Sequence, residues 1–178
     1  MIIIGIDPSL VSTGICLMPE DGEVIESNAI QPKSVGMERL SFLRQQIINI
    51  IAKYDIHDIR AFIEGYSHGS SGMRESMAEW GGVLRLALYE NNIEFIEVPP
   101  KTLKKFATGN GNADKILMGV QLMKEFGLEY PTSDQTDAFW LSFFGRAYYG
   151  LIPKLTKARE EIIADMKKPK VKKKVTKK

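Results

Sequence analysis

Cysteine, histidine and long apolar runs are scarce in this chain of 178 residues. Its one cysteine, Cys16, rules out an intrachain disulfide and with it a disulfide-stapled secreted scaffold. Cys16 reads instead as a small core residue. Two histidines, His57 and His68, offer little to a zinc site built from imidazole and thiolate. The apolar run at the N-terminus lacks a preceding basic region and is interrupted by Gly5 and Asp7, so it reads as neither a signal peptide nor a membrane span. A soluble, cytoplasmic protein with no membrane partner is expected. Internal repeats are missing, and acids are missing from one stretch: Lys167 to Lys178 holds eight of the 24 Lys and Arg and none of the 22 Asp and Glu. The remainder has 16 basic against 22 acidic residues, a net −6. A cationic tail on an acidic body suits a polyanion partner through counterion release; the plainer reading is a solvated, disordered terminus.

What is present begins with Met1-Ile-Ile-Ile-Gly-Ile-Asp7-Pro8, a β-branched run that reads as a strand buried on both faces and ends in a carboxylate. Thr13–Met18 and Val24–Ile30 read as two more strands, with Gly22 supplying the positive φ of the hairpin between them. From Met37 to Tyr54 the period changes: Leu40, Leu43, Ile47 and Ile50 recur at helical spacing. Ile59–Ile63 is a fourth strand that ends in Glu64. A polar loop, Ser67 to Gly72, leads into a helix carrying Met73, Met77, Trp80, Leu84 and Leu88, with Gly81 and Gly82 in its middle suggesting a close backbone approach. Ile93–Val98 is a fifth strand stopped by Pro99-Pro100. Asn112 stands as the N-cap of a helix that carries Ile116, Val120, Met123 and Phe126 at helical spacing and stops at Gly127. A last, largely buried helix starts near Ser133 and runs to Tyr148. The expected fold is α/β: a five-stranded mixed sheet with the first strand at its centre and helices on both faces.

In such a sheet ligands gather at the carboxyl ends of the parallel strands, where Asp7 and Glu64 fall. Asp134 and Asp137, three positions apart, share one face of the last helix. Singly, each acid has a simpler reading: Asp7 a turn, Glu64 a solvated strand end, Asp134 an N-cap. Jointly they would repel unless divalent cations neutralised them. Oxygen ligands alone select Mg²⁺ or Mn²⁺ over zinc, and a two-ion site suits phosphodiester hydrolysis. Lys115, in the first turn of its helix, opposes the macrodipole unless an anion docks there. Lys104 is the next candidate, while His68 reads as a loop bystander or an extra ligand.

Ile4-Gly-Ile-Asp-Pro-Ser9 with Thr13-Gly14, Phe62-Ile-Glu64-Gly, Pro100-Lys-Thr-Leu-Lys104, Thr108-Gly-Asn-Gly-Asn-Ala-Asp-Lys115 and Asp134-Gln-Thr-Asp137-Ala resemble, in order and spacing, the RuvC family of Holliday junction resolvases. The resemblance runs from residue 1 to about residue 150. It implies an RNase H-like fold, a homodimer and paired nicks across a four-way DNA junction. By similarity Asp7, Glu64, Asp134 and Asp137 are the metal-binding acids, holding two Mg²⁺, or Mn²⁺ in substitution, per active site. Lys104, Lys105 and Lys115 are the DNA-contacting lysines, Lys115 also serving catalysis. The family's junction-stacking aromatic follows the glutamate, and Tyr66 is the nearest candidate, standing closer to the acid than the pattern. The expected organisation is a nuclease domain over 1–155, a helical extension over 156–166 and a disordered Lys-rich tail over 167–178. The rivals are a noncatalytic branched-DNA-binding protein and an actin-like ATP-binding domain. The second needs two such domains, for which the chain is too short.

Overall fold

A computed structural model describes residues 1–65 and 74–169. Five strands form one sheet: β1 (Ile2–Asp7), β2 (Thr13–Pro19), β3 (Glu26–Ile30), β4 (Ile59–Glu64) and β5 (Glu94–Val98). Their spatial order is β3-β2-β1-β4-β5, which puts β1 at the centre as expected. β1–β2 and β2–β3 pair antiparallel, and β1–β4 and β4–β5 pair parallel. Gly22, at φ 93°, makes the tight turn after β2, and β3 starts two residues later than Val24. Among the described residues no helix is long and apolar enough to cross a membrane.

Side-chain alternation divides the core into two layers. Ile4 and Ile6 of β1, Ile15 and Leu17 of β2 and Ala61 and Ile63 of β4 face one cluster, shared with α1 (Gly36–Ile51) and α2 (Arg74–Glu90). Ile3, Cys16, Met18 and Phe62 face the other, shared with α3 (Pro100–Thr108), α4 (Lys115–Phe126), α5 (Ser133–Tyr148) and α6 (Lys157–Lys167). Helices therefore cover both faces. α1 ends at Ile51, short of Tyr54, which still packs against its cluster. Trp80, Leu84 and Leu88 of α2 are fully buried. The Ser67–Gly72 loop, Tyr66, His68, Met73 and the Met77 side chain lie outside the described residues, as does the tail from Lys170.

Three local expectations need correcting. Pro99-Pro100 stops β5 but also starts a helix, α3: Pro99 is the extended N-cap and Pro100 sits in the first turn, where its missing N–H has no partner to lose. α4 is capped by Asp114, whose side chain accepts from the Leu117 N–H at 2.8 Å, and not by Asn112, which belongs to the preceding turn and donates its N–H to Asn110 Oδ1. α4 also turns its other face inward: Met118 and Leu122 are buried, while Ile116 is 77% exposed and Val120 and Met123 are exposed as well. α4 has apolar residues on most sides, so period alone does not choose its buried face. Docking against α5 chooses, with the Trp140 indole donating to the Met118 carbonyl. At Gly82 an added Cβ would meet nothing within 4 Å among the described residues, so no close approach among them explains that glycine.

Candidate active site

The parity that sends Ile3 and Gly5 toward α5 sends Asp7 the same way, and the parity of Phe62 does so for Glu64. The parallel register Gly5↔Phe62 and Ile6↔Ile63 brings the two acids side by side at the carboxyl ends of adjacent strands. Their carboxyls are close enough to share a hydrogen bond. Asp7, only 7% exposed, lies on the face that α5 covers.

Two glycines let α5 settle onto the sheet. A Cβ on Gly5 would collide with the Ala138 carbonyl and Ser142, and one on Gly14 would collide with the Asp134 backbone. The Ser142 hydroxyl uses this closeness: it accepts from the Gly5 N–H at 2.8 Å and donates to the Cys16 carbonyl at 2.6 Å, stitching α5 to both β1 and β2. Thr132 caps α5, accepting from the Gln135 N–H. The start of α5, with Asp134 in its first turn and Asp137 just beyond it, is thereby held over the end of β1 beside Asp7.

Electrostatics register the crowding. Burial, then the charges of Glu64, Asp137 and Asp134, push the Asp7 carboxyl well above the usual carboxylate range. Burial and Asp137 push Glu64 up to about 7, against the pull of Lys104. Burial raises Asp137 to about 6, with Asp134 adding to the rise and Lys115 and Lys104 opposing it. Each of the four acids thus acts on at least one of the others.

The lysines divide. Lys115, the first residue of α4, donates to Ser133 Oγ at 2.8 Å and reaches Asp134 Oδ1 at 3.4 Å. Lys104, on α3, bears on Glu64 and Asp137. Lys105, one position on, turns away: it lines clefts with Arg159 and with Asp165 of α6, and is not gathered with the carboxylates.

The family described as Crossover junction endodeoxyribonuclease RuvC matches residues 3–141. The chain belongs to the RuvC family. The protein of that name from Brachyspira hyodysenteriae is 33% identical over 143 residues, covering 78% of this chain and 89% of the relative. That from Ehrlichia canis is 31% identical, covering 78% and 91%. Among solved structures, Thermus thermophilus RuvC in complex with a Holliday junction substrate superposes with a TM-score of 0.70 at 17% identity, over 85% of this chain and 95% of that one. The fowlpox virus Holliday junction resolvase gives 0.52 at 13%, over 85% and 100%. These likenesses establish the RNase H-like fold.

All four acids lie inside the RuvC match. As donors they fit a hard divalent cation, being oxygen ligands of the kind Mg²⁺ or Mn²⁺ takes. Among the described residues no three Asp, Glu, His or Cys side chains already stand tightly enough together to enclose one; Asp134 is drawn to Lys115 instead. Sequence reasoning missed Ser133, the Lys115 anchor, and Ser142, the stitch between α5 and the sheet. Nothing in sequence marks Ser133. Ser142 had a signal, a lone hydroxyl within the otherwise apolar stretch 138–145 of α5.

Proposed function

We propose that this chain is a metal-dependent endonuclease that resolves four-way DNA junctions by paired phosphodiester hydrolysis. The observation that carries the reading is the gathering of Asp7, Glu64, Asp134 and Asp137 from two strand ends and one helix face. Carboxylates so crowded repel one another and repel DNA as well, a poor arrangement for a protein that only binds. Membership of the RuvC family supports the same activity.

In this reading the four acids hold two divalent cations, Mg²⁺ or in substitution Mn²⁺. When bound, these supply a water of lowered pKa and neutralise the oxygens of an in-line displacement. The chain's own part is placement. The β1–β4 pair fixes Asp7 against Glu64, and the glycine-cleared approach of α5 sets Asp134 and Asp137 opposite them. Lys115 and Lys104 offset the negative charge of the acids and of an arriving phosphate. Lys105 lies further round α3, where it contacts an arm of the DNA rather than the scissile phosphate, and Tyr66 is the candidate for stacking at the junction centre.

Paired nicks call for a homodimer. The outward face of α2, with Leu86 and Tyr89 exposed and Gly82 leaving backbone open to approach, is the surface we assign to it. Residues 1–155 form the nuclease domain and 156–166 a helical extension, while the lysines of 167–178 add sequence-independent attraction for DNA.

Incubation of the protein with a synthetic four-way junction and Mg²⁺ tests the reading. Paired nicks are expected with the native chain and none with Asp7→Asn. An intact junction with the native chain, or undiminished nicking by Asp7→Asn, overturns it.

A further inference from the structure

Arg159 lies on α6, beyond the span of residues 3–141 that matches the RuvC family. Its side chain is 11% exposed and spends its donors on two other helices. Nε donates to the Phe106 carbonyl at 2.9 Å and Nη2 to the Ala107 carbonyl at 3.2 Å. These are carbonyls of the last turn of α3, which have no partner within the helix. Nη2 also reaches Glu125 Oε2 at 2.7 Å, and Nη1 pairs with Glu125 Oε1. Glu125 belongs to the last turn of α4. Despite its partial burial, Arg159 holds the Glu125 carboxyl below the usual range. The guanidinium lies 5.1 Å from the ring centre of Phe106, 5.4 Å from Trp140 and 5.3 Å from Phe143, the last two on α5.

One side chain therefore ties the C-terminal ends of α3 and α4 to each other and to the helix that carries Asp134 and Asp137. The two tied helices also carry the lysines: Lys104 two residues before the Phe106 carbonyl that Arg159 holds, and Lys115 at the start of α4. Resting on the endonuclease reading above, we propose that Arg159 is a positioning residue, and that α6 braces the α3–α4 corner so that Lys104 and Lys115 meet the carboxylate cluster. A fork of fixed geometry suits this work better than an apolar side chain. Buried ion pairs add little net stability against well-packed apolar replacements, whereas a planar guanidinium fixes several acceptors at once.

The test compares Arg159→Met with the native chain in single-turnover cleavage of a four-way junction, protein in excess, well below both melting temperatures. Ile47→Ala, on the opposite layer of the core, serves as a control for destabilisation alone. Arg159→Met is expected to cut about tenfold more slowly with junction affinity changed by no more than about twofold, since small misplacement of a charged group is costly to rate. Ile47→Ala keeps its rate. Added to a chain already carrying both Lys104→Met and Lys115→Met, the Arg159 change should slow cleavage by no more than about twofold, because its effect runs through those two lysines. Amide exchange over residues 104–115 should quicken in Arg159→Met while that of β1 does not. A native rate in Arg159→Met, an equal loss in Ile47→Ala, or full multiplication with the paired lysine changes overturns the proposal. Failure of the native chain to cut overturns the endonuclease reading instead; unchanged exchange over 104–115 then still decides against the brace.

Discussion

At the scale of single residues, Asp7 combines burial with the charges of the other acids. It is nearly sealed from solvent and faces three other acids. Asp7→Asn removes one charge from that crowd and keeps the shape, so activity and stability should move in opposite directions. Cleavage is expected to fall by at least about a hundredfold, as befits loss of a charge placed for the reacting centre. The metal-free variant should melt a few degrees higher, since about 1 kcal/mol corresponds to roughly 2–4 °C in a chain of this size. Calorimetry in the presence of a chelator measures it, and a lower melting temperature would show that the acids do not repel. Cys16 makes a second, independent prediction. Burial pushes its thiol up to about 12 and encloses it completely, and the thiolate is the reactive form. Iodoacetamide should leave the native protein unmodified for hours and label it rapidly in denaturant; prompt labelling of the folded chain would contradict this packing.

At the scale of elements, the approach of α5 to the sheet governs the site. Gly14→Ala would drive a methyl into the Asp134 backbone, and overpacking of this kind costs about 1–3 kcal/mol. Ser142→Ala leaves the buried Gly5 N–H and Cys16 carbonyl without their shared partner, a loss of about 1–3 kcal/mol. Urea unfolding should show both losses, and Gly14→Ala should also impair cleavage because it moves the helix that carries two of the acids. An unchanged unfolding midpoint for either variant would mean that α5 sits further from the sheet. Legibility also differed between elements. The strands and α5 were readable because a β-branched run buried on both faces, or a helix apolar almost all round, permits few alternatives. α3 was not, because a double proline looks like an ending unless its place as N-cap and first turn is considered. The buried face of α4 was misread because Ile116, Val120 and Met123 make as regular a stripe as Met118 and Leu122. Only the neighbouring helices separate the two. Asp7 and Glu64 were legible as strand-end acids, whereas the Lys115–Ser133 contact joins helix starts 18 residues apart and leaves no periodic trace.

At the scale of the whole molecule, Asp7, Glu64 and Asp137 couple folding to pH. Glu64 at about 7, Asp137 at about 6 and Asp7 higher than its ordinary value all bind protons more tightly in the folded chain than when unfolded, where carboxyls titrate near 4. Between roughly pH 4 and 7 the folded state therefore holds more protons than the unfolded one, and stability falls as pH rises. Their contribution is fully present below the unfolded value and lost as pH passes through the folded values. Most salt-bridged proteins lose stability in the opposite direction, toward acid, so the sign is diagnostic. Without metal, the melting temperature should decline from pH 5 to pH 8. Mg²⁺ at millimolar concentration should raise it most at the alkaline end, where the carboxylates are ionised and a bound cation stabilises only the folded state. Asp7→Asn should flatten the metal-free profile, which assigns the slope to the acid cluster. A metal-free profile that rises from pH 5 to 8, or keeps its full slope in Asp7→Asn, would mean that the acids do not form one electrostatic unit, and the metal site built from them would lose its foundation.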